Sequence, residues 1–178
     1  MVVVETNLSG CFLIKPKVYT DARGYFYESF NAAQFEKEVG IVPAFLQDNE
    51  AFSNYGVIRG LHFQQGEHAQ AKLVRVITGK VLDVVVDIRK ESATYGQHIA
   101  VELSGDNKMQ LYIPRGMAHG YAVLENNTRF SYKCDNYYNK ESEGGVYYAD
   151  AALNIDWKIP EGQRILSEKD MGLPVMAR

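Results

Sequence analysis

The sequence predicts an all-β domain, built as an antiparallel barrel or sandwich with one or a few short helices. Residues 72–88 contain two β-rich runs that meet at Gly79, and residues 97–116 and 119–134 repeat this plan. The later breaks, around Asp106 and Asn126, carry the residue types of turns between neighbouring strands. We therefore expect a hairpin at each break. Short strands at such even spacing are typical of an antiparallel barrel or sandwich.

The run that ends at Ile88 shows the alternation of a strand with two different faces. Successive side chains of a strand point to opposite sides of the sheet. One face carries four aliphatic side chains, Leu82, Val84, Val86 and Ile88. The other face carries Asp83, Val85 and Asp87. We expect the aliphatic face to pack against a hydrophobic core.

One helix is predicted over residues 32–39. Asn31 is a suitable N-cap, and Gln34 follows three residues later, which is a capping-box pattern. Phe35 and Val39 are spaced i, i+4 and give the helix one apolar stripe. Gly40 supplies a residue that can end the helix in the left-handed conformation. Near the other end of the chain, a helical turn is expected at residues 167–170.

Composition restricts the class of protein. The chain has 178 residues, 46% of them hydrophobic, which suits one domain with a sizeable core. Its 19 basic and 22 acidic residues are well mixed, so no basic block indicates a nucleic-acid partner. The first ten residues do not resemble a secretory signal, and no apolar run approaches the roughly 18 residues of a membrane helix. Cys11 and Cys134 are expected to be reduced and structural, and the protein to be soluble and cytoplasmic.

His62 is the first candidate functional residue. In a strand it points away from Leu61 and Phe63, so it lines a pocket if its side of the sheet is the inside of a barrel. Arg59 and Lys72 lie nearby in the sequence. Two neighbouring cations favour a neutral imidazole, which can act as a general base. The alternative is a structural or surface histidine.

A second histidine raises the question of a metal site. The spacing Pro114-x-Gly116-x-x-His119 is half of the metal-binding signature of cupins. The other half would need close ligands, whereas His62 and His68 are six residues apart, which is about 20 Å along a straight strand. A single ion cannot bridge that distance. We therefore expect no metal, and we place His68 in a loop.

Three further segments carry chemistry that a fold does not require. Tyr132 is either a packing residue of a strand or a proton donor, and Asp170 is a polar residue near the end of the chain. Residues 20–30 combine Arg23, Phe26, Tyr27 and Glu28. A guanidinium suits a phosphate and an aromatic ring suits a base, so this segment fits a nucleotide. The alternative is an ordinary amphipathic strand.

Taken together, five motifs resemble the dTDP-4-dehydrorhamnose 3,5-epimerase family: "DARGYFYESF", "FLQDNEAFSNYGVIRGLHFQ", "HAQAKLVRVITGKVLDVVVDIR", "YIPRGMAHGYAVL" and "SYKCDNYY". The similarity spans residues 15–170. It implies a cupin-type double-stranded β-helix, or jelly-roll barrel, that works as a homodimer without metal or other cofactor. Residues 1–178 would form one epimerase domain, with N-terminal strands and a helix over 1–50, a barrel core over 51–135 and a C-terminal segment over 136–178.

The resemblance also implies roles for residues at matching positions. His62 matches the catalytic base, Asp170 the carboxylate that pairs with it, and Tyr132 the acid on the opposite face of the sugar. Lys72 matches the residue near the keto oxygen. The implied substrate-binding residues are Arg23, Phe26, Glu28, Gln47, Asn49, Arg59, His119 and Tyr138, some of them supplied by the partner subunit. The sequence departs from the family pattern at Arg115 and at Asp135-Asn136.

The implied reaction is inversion of C3 and C5 of dTDP-4-dehydro-6-deoxy-D-glucose, which gives dTDP-4-dehydro-L-rhamnose. It belongs to dTDP-L-rhamnose biosynthesis, which supplies sugar for lipopolysaccharide or cell-wall polysaccharide. Two alternatives stay open. The first is an enzyme that acts on one centre only, or a ketoisomerase, of a related deoxysugar nucleotide. The second is a non-catalytic or metal-binding cupin module.

Overall fold

The computed structural model describes residues 1–42 and 44–176, and almost all of its regular structure is β-strand. These residues form thirteen strands, two α-helices and three short 3-10 helices, which are Gly66–His68, Lys140–Ser142 and Glu161–Gln163. The strands are β1 Val2–Glu5, β2 Phe12–Lys15, β3 Tyr19–Asp21, β4 Gly24–Phe26, β5 Gln47–Ser53, β6 Ile58–Gln64, β7 Lys72–Thr78, β8 Lys80–Asp87, β9 His98–Ser104, β10 Gln110–Ile113, β11 Met117–Val123, β12 Thr128–Cys134 and β13 Glu143–Gly145. The α-helices are α1 Ala32–Val39 and α2 Glu168–Met171.

Two antiparallel sheets face each other as a jelly-roll barrel. The six-stranded sheet has the order β1-β2-β10-β7-β12-β5, and the five-stranded sheet has the order β13-β6-β11-β8-β9. Strands β3 and β4 form a separate two-stranded ribbon. The predicted all-β fold class is therefore confirmed. The sheets also take strands from outside residues 51–135, namely β1, β2 and β13.

The three expected hairpins are not formed. Strands β7, β10 and β12 belong to the six-stranded sheet, whereas β8, β9 and β11 belong to the five-stranded sheet. The turns at Gly79, Asp106 and Asn126 therefore carry the chain from one sheet to the other. At Gly79, a side chain would meet the backbone of Thr128 at 2.9 Å. The prediction was wrong because turn residues specify only that the chain reverses direction. They do not determine whether the next strand pairs within the same sheet or joins the facing sheet.

The interior of the barrel is an apolar core supplied by both sheets. Its members include Val74 and Phe130 from one sheet and Val85 and Leu103 from the other. Two further cores cover the outer faces. Beneath the C-terminal segment, Trp157 packs with the aliphatic face of β8 that the alternation predicted, formed by Leu82, Val84, Val86 and Ile88.

Helix α1 covers the outer face of the six-stranded sheet. Phe35 is 2% exposed and its ring lies 5.2 Å from that of Tyr112, between ring centroids. The Asn31 side chain accepts a hydrogen bond from the Gln34 backbone N–H, and Gly40 has φ of 75°. The predicted helix and both of its ends are confirmed. The expected turn near the C-terminus is α2, which begins after the N-cap Ser167.

Two predictions from composition concern the cysteines and membrane-spanning helices, and the structure bears on both. Cys11 and Cys134 are free thiols and both are buried. Burial raises the pKa of Cys11 to about 12 and that of Cys134 to about 11, so both remain protonated. Among the described residues, no helix has the length and apolar character needed to span a membrane.

Candidate active site

A β-bulge in β6 brings Arg59 and His62 to the same face of the sheet. His62 pairs with His119 of β11 and Arg59 pairs with Tyr121, so three steps along β6 oppose two steps along β11. Strict alternation would have placed Arg59 and His62 on opposite faces. The bulge lies at Gly60, where φ is 116° and a side chain would meet the Gly120 backbone at 2.6 Å. Bulges of this kind redirect side chains beside functional sites.

His62 points into the barrel and is paired with a buried carboxylate. Its Nε2 atom lies 2.6 Å from Oδ1 of Asp170. The other oxygen of Asp170 accepts the Gly60 backbone N–H at 3.3 Å, so the bulge also holds the carboxylate. The Asp170 side chain is 6% exposed, whereas that of His62 is 30% exposed and open to the cleft. Burial raises the pKa of Asp170, but its hydrogen bond and charge interaction with His62 outweigh burial and leave the pKa below its usual range.

Lys72 and Tyr132 approach the same cleft from the facing sheet. Lys72 is on β7 and Tyr132 on the adjacent strand β12, and both line the space that His62 also lines. Within the described residues, neither the ammonium of Lys72 nor the hydroxyl of Tyr132 has a hydrogen-bond partner. Burial lowers the pKa of Lys72 and raises the pKa of Tyr132. Both polar groups are therefore open to a ligand in the cleft.

Two more polar groups of the five-stranded sheet complete this end of the cleft. His119 is 6% exposed, and its Nε2 atom lies 3.0 Å from the fully buried carboxylate of Asp83. Burial raises the pKa of Asp83, although the neighbouring His119 opposes this shift. Arg59 donates two hydrogen bonds of 3.2 Å to the Ser53 hydroxyl. The guanidinium has further N–H groups available for a ligand.

The other end of the cleft is formed by the predicted residues Gln47, Asn49 and Tyr138. Gln47 donates to Asn49 at 3.0 Å and accepts the Tyr138 backbone N–H at 3.0 Å. The Tyr138 side chain is 55% exposed, so its ring forms an open rim. These residues lie beside His62 and Lys72 in the same continuous space.

Gln64 forms hydrogen bonds with the loop that contains Tyr138. Its amide nitrogen donates to the backbone carbonyls of His68 at 2.6 Å and Tyr137 at 3.1 Å. Its carbonyl oxygen accepts the Asn139 backbone N–H at 2.7 Å. No role for Gln64 was predicted from the sequence. Its partners lie more than seventy residues away or in an irregular loop, so no local pattern signals them.

Glu143 and Lys169 also line the cleft, and neither was predicted from the sequence. Glu143 lies 2.6 Å from the Lys169 ammonium and accepts the Tyr138 hydroxyl at 3.1 Å. Burial raises the pKa of Glu143, but the bonds from Lys169 and Tyr138 outweigh it and lower the pKa overall. The only available signal was the position of Lys169 beside Asp170. Glu143 lies on β13, a strand too short to show a pattern.

Three predicted binding residues lie outside the cleft of their own chain. Arg23 and Phe26 belong to the exposed β3–β4 ribbon, where Arg23 pairs with Asp21 at 2.5 Å and Phe26 is 68% exposed. Glu28 accepts hydrogen bonds from the side chains of Asn31 and Gln34 at the start of α1. Within a single subunit, these three residues do not line the cleft that contains His62.

The departures from the family pattern are connected in space. Arg115 donates to Asp135 at 2.9 Å, and the same carboxylate accepts the Ala71 backbone N–H at 2.7 Å. The Asn136 side chain donates to the backbone carbonyl of Glu67 at 2.8 Å. The two departures therefore tie the 67–71 loop to the end of β12, beside the cleft.

Like His62, the other two histidines considered as metal ligands have protein partners. His68 lies 3.0 Å from the Asn139 side-chain amide. It was predicted in a loop, and it ends the short 3-10 helix Gly66–His68 in the connection between β6 and β7. His119 contacts the single carboxylate of Asp83. In the part of the chain that the structure describes, no three His, Cys, Asp or Glu side chains converge to form a metal-binding group.

The cleft has the composition of a proton-transfer site. It holds an imidazole oriented by a carboxylate on one sheet, and a phenol and an ammonium on the sheet opposite. A ligand bound between the sheets would have a base on one side and a proton donor on the other. The fold and this cleft define a jelly-roll protein of the cupin type with an acid–base site in its interior.

Comparison with known proteins gives the family. The family model of dTDP-4-dehydrorhamnose 3,5-epimerase matches residues 5–178, and the chain belongs to that family. It is 47% identical to the dTDP-4-dehydrorhamnose 3,5-epimerase of Salmonella typhimurium, over 99% of this chain and 96% of that one.

Solved structures agree with this assignment. The chain superposes on dTDP-4-dehydrorhamnose 3,5-epimerase from Elizabethkingia anophelis with a TM-score of 0.94 and 55% identity, covering 98% of this chain and 96% of the other. It superposes equally on dTDP-6-deoxy-D-glucose-3,5-epimerase from Legionella pneumophila in complex with dTDP-4-keto-L-rhamnose, with a TM-score of 0.94, 47% identity and coverage of 98% and 92%. The cupin-type barrel implied by the resemblance is thus confirmed.

Proposed function

We propose that the protein is a dTDP-4-dehydrorhamnose 3,5-epimerase, which inverts C3 and C5 of dTDP-4-dehydro-6-deoxy-D-glucose to give dTDP-4-dehydro-L-rhamnose. The observation that carries the proposal is the placement of His62, paired with Asp170 of α2, on one sheet and of Tyr132 on the other, with the cleft between them. Family membership supplies the substrate class. The reaction is a step of dTDP-L-rhamnose biosynthesis.

The substrate explains why one base and one acid are sufficient. The keto group at C4 acidifies the hydrogens on both neighbouring carbons, C3 and C5. In the gluco configuration these two hydrogens are axial and lie on the same face of the ring. A base on that face can remove either of them, and each inversion is completed when a proton is delivered to the opposite face. His62 is the base and Tyr132 is the acid in this scheme.

Each proton removal leaves a negative charge on the C4 oxygen. Lys72, whose ammonium has no carboxylate partner in the described part of the chain, can stabilise this enolate electrostatically. Asp170 orients the imidazole of His62 and stabilises its protonated form. Between the two inversions His62 must release a proton and Tyr132 must regain one, so the exchanged hydrogens come from solvent.

The nucleotide is assigned to the rim of the cleft. Gln47, Asn49 and Tyr138 would hold the base and the deoxyribose, with Tyr138 offering a ring for stacking. Arg59 and His119 would bind near the sugar and the diphosphate, since a guanidinium matches phosphate oxygens. Binding needs no metal or other cofactor in this proposal, because the carbonyl of the substrate itself acidifies the hydrogens.

We include a homodimer in the proposal, with the N-terminal segment of each subunit completing the site of its partner. The β3–β4 ribbon is exposed along its whole length, and Tyr25 and Phe26 are 59% and 68% exposed. Exposed aromatic side chains grouped on one ribbon are typical of an interaction surface. In this arrangement Arg23, Phe26 and Glu28 would reach the nucleotide bound by the other subunit.

A cytoplasmic location is also proposed, because the two free thiols suit a reducing compartment.

A related enzyme that acts on one centre would carry the same base and acid. The deciding experiment is incubation with dTDP-4-dehydro-6-deoxy-D-glucose in D2O, followed by proton NMR of the sugar. The proposal predicts deuterium at both C3 and C5 together with L-rhamno product. Exchange at one carbon only would instead identify a mono-epimerase. No exchange at either carbon, combined with a stoichiometric metal in elemental analysis, would indicate a metal-binding cupin.

A further inference from the structure

The hydroxyl of Tyr121 is a polar group of the cleft that has no role in the proposed mechanism. Tyr121 lies on β11 and pairs with Arg59 of β6 on one side and Asp83 of β8 on the other. Its side chain lines the same space as those of His62 and Tyr132. The ring therefore lies inside the barrel, among the groups that are proposed to act on the sugar.

Packing fixes the ring of Tyr121. The ring is stacked on that of Phe130 from the facing sheet, with centroids 4.1 Å apart and planes inclined by 17°. Phe130 in turn lies 6.0 Å from the ring of Tyr132, between centroids. Because stacking holds the ring in place, the position of its hydroxyl oxygen is fixed as well.

The hydroxyl itself is open to the cleft. Within residues 1–42 and 44–176, no hydrogen bond joins the Tyr121 hydroxyl to another protein group. In the same part of the chain, no fully buried side-chain oxygen lacks a partner. The Tyr121 oxygen is therefore reachable from the cleft, although the residue as a whole is only 5% exposed. A hydroxyl that packs without a partner is costly, and phenylalanine would fill the same space without that cost.

We propose that the Tyr121 hydroxyl binds the sugar of the substrate, by donating a hydrogen bond to one of its neutral oxygens. The inference rests on the proposed function and adds a residue to it. Arg59, which is cationic and lies next to Tyr121 in the sheet, is the better partner for a charged oxygen. A neutral phenol suits a sugar hydroxyl or ring oxygen. Burial raises the pKa of Tyr121 well above 10, so the phenol stays protonated and can act as a donor.

The test compares Tyr121→Phe with a matched control, Tyr112→Phe. Tyr112 is also 5% exposed, but it lies on the outer face of the six-stranded sheet against Phe12 and Phe35. Both variants and the wild type are titrated by calorimetry with dTDP and with dTDP-quinovose. The latter carries a hydroxyl instead of the keto group at C4, so it cannot form an enolate and does not turn over.

Tyr121→Phe is expected to weaken binding of dTDP-quinovose about 3- to 10-fold, while leaving the Kd for dTDP unchanged. KM for the keto substrate should rise by a similar factor with kcat within about twofold of wild type, as for loss of a uniform binding contact. The melting temperature should not fall, because no protein hydrogen bond is lost. Tyr112→Phe should leave both dissociation constants unchanged.

Three outcomes would overturn the inference: unchanged affinity for dTDP-quinovose, equal weakening for both ligands, or a lower melting temperature with wild-type binding. A collapse of kcat at constant KM would also overturn it, because the hydroxyl would then act in the chemical step. Wild-type protein that binds neither ligand would contradict the proposed function, and the inference with it. If the wild-type protein binds both ligands, the affinities of Tyr121→Phe test the role of Tyr121 separately from the proposed function.

Discussion

The Nε2 atom of His62 lies 2.6 Å from Oδ1 of Asp170, although 108 residues separate them in the sequence. The carboxylate is carried by a one-turn helix, and its second oxygen is held by the Gly60 backbone N–H of the β6 bulge. The same bulge turns Arg59 toward the interior. One irregularity in one strand therefore orients two side chains and holds the carboxylate that pairs with His62.

Asp170→Asn should lower the rate of epimerisation without weakening nucleotide binding. The amide keeps the shape of the side chain but cannot stabilise protonated His62. We expect kcat to fall about 10²-fold or more, as for loss of a group that supports a general base. The Kd for dTDP, measured by calorimetry, should stay within about twofold, because dTDP lacks the 6-deoxyhexose on which His62 is proposed to act. Asp48→Asn, which breaks an exposed pair with Lys133, is the control and should have wild-type kcat. A wild-type kcat in Asp170→Asn would refute the role of the pair.

Tyr132→Phe should separate hydrogen exchange from inversion. Proton removal by His62 survives, since His62, Asp170 and Lys72 are unchanged. Delivery of a proton to the opposite face is lost, so the enolate is reprotonated mainly from the His62 side with return of the starting configuration. Proton NMR in D2O should show deuterium at one or both carbons while the doubly inverted product falls sharply.

Stability supplies a control for Tyr132→Phe. The hydroxyl has no hydrogen-bond partner in the described part of the chain, so its removal should not lower the free energy of unfolding. If the variant made doubly inverted product at the wild-type rate, Tyr132 would not be the acid. It would then be the packing residue that the sequence alone also allowed.

The parts of the fold that the sequence predicted are those with local physical causes. Helix α1 could be predicted because Asn31 and Gly40 each act on the helix next to them. The alternating faces of β8 follow from strand geometry alone. The assignment of strands to sheets could not be predicted in the same way. A turn at Gly79 is compatible with a hairpin and with a crossing between sheets, and contacts with distant strands decide between them.

The site shows the same division between local and distant causes. His62 could be singled out because it interrupts an apolar strand. The bulge could not be foreseen, because the close approach of the Gly60 and Gly120 backbones, which leaves no room for a side chain, exists only after β6 and β11 have paired. Glu143 was missed because its partners, Lys169 and Tyr138, are brought to it by the tertiary structure.

The alkaline limb of the pH profile should belong to Lys72. Burial lowers the pKa of Lys72 from 10.5 and raises the pKa of Tyr132 from 10.0. A rise in pH therefore removes the charge of this ammonium earlier than that of an ordinary lysine, and removes the proton of this phenol later than that of an ordinary tyrosine. Enolate stabilisation is lost with that charge, so kcat/KM should decline below pH 10.5.

Lys72→Arg tests this assignment because a guanidinium stays protonated throughout the accessible range. Its rate will be lower owing to the change of shape, but the alkaline limb should move to higher pH or disappear. Lys133→Arg, on the outer face of β12, is the control and should keep the wild-type limb. An unmoved limb in Lys72→Arg, with the fold intact by circular dichroism, would assign the titration to another group.

Mixed dimers should show whether Arg23 works in the site of the partner subunit. Arg23→Ala and His62→Asn should each be nearly inactive as homodimers. In a mixed dimer, the site that contains the intact His62 of the Arg23→Ala chain receives the intact Arg23 of the His62→Asn chain. The other site carries both defects. Random pairing should therefore restore about a quarter of the wild-type activity, since half the dimers are mixed and each has one good site.

The control for this experiment combines two defects that belong to a single cleft. His62 and Asp170 of one chain contact each other, so every site in a dimer of His62→Asn with Asp170→Asn lacks one of them. This mixture should recover no activity, whereas the Arg23→Ala mixture should recover it. Differently tagged chains allow the mixed dimers to be purified before assay.

If purified mixed dimers of Arg23→Ala with His62→Asn stayed inactive, Arg23 would belong to the site of its own subunit. If the Arg23→Ala homodimer were fully active, Arg23 would have no role in the site. A stable monomer of 20.1 kDa with full activity would exclude any exchange of segments between subunits.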